Sequence, residues 1–279
     1  MSVAVVVDSA SDLPNELADA LDIRRVPLTI SLDGVDHKDG TELSRERFWE
    51  LVRTAEELPK TSAPSPAEFD AAFSEALDAG ASHVMCFTMT QDLSATYQSA
   101  VTAASAFSHR VSVLDTRTLT IGEGLVAIGV ARAAQAGASP DTCQALGASL
   151  IERIRTFGTL DTLDNLRKGG RIGAASALLG TLMSFKPLIE VRDGAILAAG
   201  RVRTRKTALT VLLEKFEGNG PYEQVGLVHA MAPDLDEALT RVKAVTGVDD
   251  VIVTVMGATI GTHAGPGALG ISVVKGEVS

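Results

Sequence analysis

Short runs of Val, Ile and other apolar residues alternate along this chain with longer stretches whose apolar positions recur every three or four residues. That is the pattern of α/β layering around a largely parallel sheet. The runs predict strands at Val3–Asp8, Arg25–Leu32, His83–Thr88 and Arg110–Asp115. Helices are predicted between and after them, at Pro14–Leu21, Ser44–Ala55, Pro66–Asp78, Ser94–Ala106 and Gly122–Ala136. Two helix starts carry local signals. Ser65-Pro66-Ala67-Glu68 offers an N-cap hydroxyl, a proline at the first helical position and a glutamate three residues after the cap, and Ser139-Pro140-Asp141 opens a further helix in the same way.

The texture changes after about residue 158. The segment LRKGGRIG is followed by fourteen uncharged residues, Ile172–Phe185, whose apolar character on every side predicts a helix buried in the core. Lys186–Arg192 and Ala195–Arg203 then flank Asp193-Gly194, a strong hairpin signal. A helix (Arg205–Phe216), a strand (Gln224–Ala230), a second helix (Leu235–Val245) and a strand (Val251–Met256) precede a glycine-rich tail with a short strand. The expected organisation is two α/β domains, 1–158 with a largely parallel sheet flanked by helices and 159–279 with a mixed sheet, and any ligand slot between them. The longest uncharged stretch, Val251–Val274, is interrupted by five glycines, Pro266 and His263, so no bilayer-spanning helix is expected there.

Composition narrows the function classes. The 279 residues are 46% hydrophobic and 22% charged, which places the chain among globular proteins, and 35 Asp and Glu against 25 Lys and Arg give a net charge of −10. Scattered basic residues and 4% aromatic content argue against a nucleic-acid groove. Cys86 and Cys143 form neither a metal spacing nor a disulfide framework, and the N-terminus lacks a basic leader, so a reducing, cytoplasmic setting is expected. No Gly-Lys-Ser/Thr, GxSxG or HExxH is present, which removes the lysine phosphate loop, the hydrolase elbow and a paired-histidine metal site. The match of Gly265-Pro266-Gly267-Ala268-Leu269-Gly270 to the dinucleotide fingerprint fails, because it precedes a short strand and has no acidic residue twenty positions on.

What remains is a set of hydroxyls, an imidazole and arginines near strand ends. Thr61-Ser62-Ala63-Pro64-Ser65 and Asp92-Leu93-Ser94-Ala95-Thr96 would project where strands give way to helices, where free N–H groups and hydroxyls can hold a carboxylate. Ser65 and Ser94 serve equally well as plain helix caps. His263 stands among residues too small to shield it, either as a donor to an oxyanion or as a hydrogen-bonded histidine in a buried turn. Arg201, Arg203 and Arg205 alternate in an extended segment, which would turn three guanidinium groups to one side for phosphate or carboxylate, or merely blunt a solvated edge strand.

Taken in order, VDSASDLP, TSAPSPAEF, LSATYQSA, TLDNLRKGGRIG, KPLIEVRDGAI, GRVRTRKTAL and GTHAGPGALG resemble the DegV family, the fatty-acid-binding subunits of bacterial fatty acid kinase. The resemblance implies a two-domain protein that holds one long-chain fatty acid in a slot between the domains and has no covalent cofactor and no metal. It implies that Thr61 and Ser94 meet the carboxylate, with Ser62 and Thr96 beside them and His263 closing the site. It further implies a separate ATP-dependent kinase that phosphorylates the bound carboxylate for phospholipid synthesis, with Arg203 and Arg171 directed toward that kinase or the phosphate. The chain departs from the family pattern at Ala63, at Ala95 and in Leu114-Asp115-Thr116. Other readings are a hydrolase or acyltransferase with Ser94 as nucleophile and His263 as base, and a regulator that binds another apolar acid.

Overall fold

A computed structural model describes residues 2–178 and 185–277. Within them the N-terminal strand β1 (Val3–Asp8) pairs in parallel with β2 (Ile23–Val26) across the helix α1 (Asn15–Ala20). The single strand expected over Arg25–Leu32 is instead two strands in different sheets. Pro27 has no N–H to give a ladder, and Leu28 donates to the Ser9 hydroxyl rather than to a strand neighbour. Past this break, β3 (Thr29–Leu32) lies between β4 (Val35–Lys38) and β5 (Lys60–Ser62), antiparallel to both, with α2 (Arg45–Leu51) between β4 and β5 in the chain.

The helix α3 (Pro66–Asp78) begins at the Ser65 cap, where Ser65 and Glu68 form the reciprocal capping box that the sequence signals. It returns the chain to β6 (His83–Thr88), followed by α4 (Thr96–Ala104) and β7 (Val111–Asp115), giving a parallel sheet of order β2-β1-β6-β7. Phe69, Phe73, Val6, Val84 and Cys86 fill the space between this sheet and the helices α3 and α4. Two further helices follow, α5 (Ile121–Gln135) and α6 (Pro140–Arg153).

The chain runs from α6 into β8 (Ile154–Thr159) with no intervening residue, and the short α7 (Asp164–Lys168) follows. The expected hairpin is present as β9 (Lys186–Arg192) and β10 (Ala195–Val202). After α8 (Arg205–Glu214), β11 (Tyr222–His229), α9 (Leu235–Thr246), β12 (Val251–Val255) and α10 (Ala258–Ala264), the chain ends in β13 (Leu269–Lys275). These strands form a mixed sheet of order β10-β9-β8-β13-β11-β12. The last strand is therefore internal and antiparallel to both neighbours, β8 and β11. The fold is α/β, with a parallel sheet flanked by helices and a separate mixed sheet.

Of the segment Ile172–Phe185, the described part is a 3₁₀ turn, Gly173–Leu178, with Ala175 buried and most neighbours exposed. It is not the core helix that its uncharged composition suggests, and positions 179–184 lie outside the described residues. The helix that is buried all round is α5, in which every residue from Ile121 to Ile128 is inaccessible. It lies against both sheets. A Cβ on Gly124 would strike Leu13 and the Ser11 carbonyl, and one on Gly226 of β11 would strike Ile121.

The two sheets are also joined by polar contacts at a seam. Asp12 accepts from Gly257 N at 2.7 Å, and Asp39 accepts from Ala258 N, Thr259 N and the Thr259 hydroxyl. Arg45 donates to the Thr254 hydroxyl and the Leu13 carbonyl, and Trp49 Nε1 donates to the Met256 carbonyl. Four of these donors are the leading backbone and hydroxyl groups of α10, which a helix start leaves without internal partners. Trp49 and Phe48 pack so closely beneath α10 that a Cβ on Gly261 would lie 2.7 Å from the indole.

Burial gives the carboxyls at this seam, Asp12 and Asp39, and the buried Asp8 and Glu123 beside it a pH signature. Desolvation is the largest influence on each carboxyl, raising Asp8 to about 7 and Asp12 to about 6 and pushing Asp39 and Glu123 up as well. The folded state therefore holds protons that the unfolded chain releases near pH 4, and this stabilising contribution is lost as pH rises through the folded values. Burial lowers His263 to about 4, a shift that acts in the opposite direction but only below the ordinary histidine range. Between pH 6.5 and 7.5, where Asp8 still titrates in the folded state and histidine is largely neutral in both states, the carboxyls dominate, so thermal unfolding should show stability falling over that interval and levelling off above it. Asp8→Asn should give a shallower slope than the parent, whatever its absolute stability; equal slopes would remove Asp8 as a source.

Candidate functional site

A cavity of about 180 Å³ opens between the two sheets. Holding one water takes roughly 10–15 Å³, so this space is an order of magnitude larger than a single-water pocket. Its walls are mostly aliphatic. Leu28, Met89 and Leu119 come from the first half of the chain, Leu166 from α7, and Ile189, Val191 and Ile196 from the β9–β10 hairpin. In β9 the pleat turns Ile189 and Val191 to one face, because alternate strand residues point the same way.

Polar groups gather at one part of this lining, where Thr61, Ser94, Arg171 and His263 meet. Thr61 sits at the middle of β5, so the pleat sends its side chain inward and leaves Ser62 exposed. The Thr61 hydroxyl and His263 Nε2 are 3.0 Å apart. His263 is on the last turn of α10, 202 residues from Thr61 in sequence. Its ring lies directly on Gly169, where a Cβ would collide with Nδ1, and that nitrogen is buried without a hydrogen bond. Burial first, and then the nearby Arg171 guanidinium, hold the imidazole at about 4, so it is neutral at ordinary pH.

Ser94 and Thr96 act together. Their hydroxyls are 2.8 Å apart, and Thr96 N donates to Ser94 Oγ at 3.3 Å. Thr96 is itself fully buried and does not line the cavity, so it supports the serine from behind. Arg171 is fastened by bonds from Nε to the Leu93 carbonyl and from Nη1 to the Gly169 carbonyl, which tie the GGRI turn to the Ser94 loop.

Several expectations are revised by this geometry. Thr61 projects from an antiparallel strand, not from the carboxyl end of the parallel sheet. The glycine-rich segment around His263 is not a simple buried turn: residues 258–264 form the helix α10, whose leading N–H groups, from Gly257 to Thr259, are capped by distant carboxylates, and 265–267 follow as a turn. Arg201, Arg203 and Arg205 form no common row. Arg201 lies on β10 with its guanidinium 5.4 Å from the Phe185 ring, and Arg203 is exposed in the bend after β10. Arg205 begins α8, where Nε and Nη2 donate to the Asp234 carboxylate at 2.7 Å each. Arg203 does not line the cavity.

The pair required of a serine nucleophile is not assembled either. Ser94 bonds to Thr96, His263 bonds to Thr61, and no acid orients the free ring nitrogen, whereas nucleophilic catalysis needs a hydroxyl, a base and an orienting group in sequence. Among the described residues, no group of His, Cys, Asp or Glu is arranged to hold a metal ion, and no helix is long and apolar enough to cross a membrane. Sequence reasoning missed Asp12 and Asp39, which hold α10, and all of the aliphatic lining. The one available signal for the former was an aspartate pair near strands facing a glycine-led helix start; spacing gave none for the lining.

The model of the DegV family of uncharacterised proteins matches residues 2–276. A DegV domain-containing protein of Deinococcus radiodurans is 40% identical over 278 residues, covering 98% of each chain. Among solved structures, a DegV family protein from Thermus thermophilus, described for its fatty acid binding, is similar with a TM-score of 0.88 and 32% identity, covering 99% of this chain and 100% of that one. A stearic acid-binding protein from Eubacterium ventriosum has a TM-score of 0.90 and 27% identity, covering 98% of each. With a family match over nearly its whole length and relatives of this closeness, the chain belongs to the DegV family.

Proposed function

We propose that this protein is a fatty acid carrier that buries the acyl tail between its two sheets and presents the carboxylate at Thr61, Ser94 and His263. The observation that carries the reading is one largely aliphatic cavity in whose lining the Thr61 hydroxyl and His263 Nε2 stand 3.0 Å apart, with Arg171 and Ser94 beside them. The fatty-acid-binding relatives from Thermus thermophilus and Eubacterium ventriosum support it. On this reading the ligand lies between two domains, and the division expected at 158/159 moves to the start of β8, since that whole strand belongs to the mixed sheet.

The energetics suit a carrier. Sixteen carbons contribute about 12 kcal/mol at roughly 0.8 kcal/mol per buried methylene, set against about 4–15 kcal/mol for lost freedom on binding. The tail must therefore supply most of the affinity. A buried carboxylate without partners costs several kcal/mol, and hydrogen bonds of about 1.5–3 kcal/mol each to a charged group offset that cost while fixing its direction. A neutral His263 and the hydroxyls of Thr61 and Ser94 are suitable donors, and Arg171 beside them supplies positive charge. Ala63 and Ala95 contribute methyl groups to the lining near this cluster.

Phosphoryl transfer requires ATP, a divalent ion and positive charge aligned on the moving group. In the proposed function those are supplied by a separate kinase, with the exposed Arg203 and the cavity-lining Arg171 directed toward it or toward the phosphate. The acyl phosphate then passes to phospholipid synthesis in the cytoplasm. The alternative of a Ser94-dependent hydrolase has no comparable geometric support, since Ser94 and His263 each bond elsewhere.

Native and denaturing mass spectra of protein purified from a bacterial host should differ by one mass in the fatty acid range. Protein that stays empty after incubation with mixed fatty acids would count against the carrier. His263→Ala and Ser94→Ala should each weaken fatty acid binding about tenfold or more. Gly169→Ala, which drives a methyl into the His263 ring, should weaken it in the same direction while leaving the fold intact by circular dichroism. Unchanged affinity in all three would sink the head-group assignment. Arg203→Ala should bind fatty acid like the parent yet be phosphorylated more slowly with the kinase and ATP; equal rates would remove Arg203 from that role.

A further inference from the structure

The acyl cavity is not the only space that Val191 borders. The same side chain lines a second cavity of about 200 Å³ on the surface, formed by Ile151 and Ile154 with Arg117, Arg155, Arg192 and Asp193. Val191 is 6% exposed, and it stands between the two spaces. Its place along β9 is equally informative. Near the start of β9, Pro187 accepts from Leu160 N, and Leu160 shares the cavity lining with His263 and Leu166. Val191 lies four residues further along, opposite Thr156 of β8. Thr156 Oγ1 is bonded to Thr118 Oγ1, and Leu119, next in the chain, lines the cavity at that level. At about 3.3 Å per strand residue, Val191 is some 13 Å along the strand from the level of Pro187.

We infer that Val191 is the stop against which the end of the acyl chain rests, so that its size sets the longest chain the protein accepts. The inference rests on the fatty acid reading of the cavity and adds to it a residue that decides chain length. Trimming the side chain joins the cavity to the outer groove, whose near wall is the aliphatic surface of Ile151 and Ile154. Enlarging it shortens the cavity from the end remote from Thr61 and His263, leaving the carboxylate groups in place.

The test is competition binding with an equimolar set of saturated fatty acids from twelve to twenty-two carbons, read by native mass spectrometry on the parent, Val191→Ala and Val191→Phe. Each methylene admitted or excluded changes affinity roughly fourfold. Two methylenes at that factor make about sixteenfold, so Val191→Ala should shift the occupancy ratio of chains two carbons apart by up to about sixteenfold toward the longer, and Val191→Phe by a similar factor toward the shorter. Val191→Leu, a smaller enlargement, should shift the ratio in the direction of Val191→Phe and keeps the test decisive if alanine or phenylalanine unfolds the chain. A chain-length profile that matches the parent in every folded variant overturns the stop while leaving fatty acid binding intact. A parent that binds none of the set overturns the carrier reading, and the stop with it.

Discussion

Everything at the candidate site depends on two buried carboxylates that accept the leading N–H groups of a seven-residue helix. A helix as short as α10 has little stability of its own, because nucleation is unfavourable and few internal bonds follow. Asp12 and Asp39 supply the missing partners from the other end of the sequence, and they act on the terminus where negative charge is favoured. Met256, just before the helix, is held by Trp49, and Gly261 within it rests on the same indole. His263 is one turn beyond these fixed points, so the position of its ring is set by groups more than 200 residues away in sequence.

The small antiparallel sheet makes this arrangement specific. Asp39 follows β4, and its N–H donates to the Leu28 carbonyl just before β3, while Thr61 lies in β5 on the other side of β3. One rigid element therefore grips α10 at its start through Asp39 and meets it near its end through Thr61 and His263. The imidazole cannot shift away from Thr61 without disturbing either the carboxylate contacts or the Gly169 backbone beneath it. The cost is visible in the carboxyls themselves, whose burial raises their proton affinity. Charge buried at a seam is tolerated here because each of Asp12 and Asp39 has several donors.

The cavity is the complement of this rigidity. Its aliphatic walls come from β3's approach, the Ser94 loop, α7, α10 and the β9–β10 hairpin, so no single element could form it alone. The polar cluster occupies the part where α10, β5 and the Ser94 loop converge, and Arg171 ties the last of these to the GGRI turn. Such a division, with apolar walls and few polar groups in one place, suits a ligand that is a hydrocarbon with one charged end.

Much of this was legible in the residues. The parallel strands at Val3–Asp8 and His83–Thr88 and the helix at Pro66–Asp78 were set by local signals, namely β-branched runs and a capping box, and they lie where those signals put them. The hairpin turn at Asp193-Gly194 was likewise local. The alternation of short apolar runs with helical stretches pointed to α/β architecture, and the ordered motifs pointed to the family. Where long-range contacts compete with local preference, the sequence was silent or misleading. Arg25–Leu32 reads as one strand until Pro27 hands its two ends to different sheets. The glycine-rich segment around His263 reads as a turn until distant carboxylates cap Ala258–Ala264 as a helix, and Arg205 leaves its expected row to pair with Asp234. Periodicity shows which side of a strand is apolar, but not which other element covers it. For that reason the inward turn of Thr61, the contact between Thr61 and His263, and the two spaces on either side of Val191 were decided only by tertiary packing.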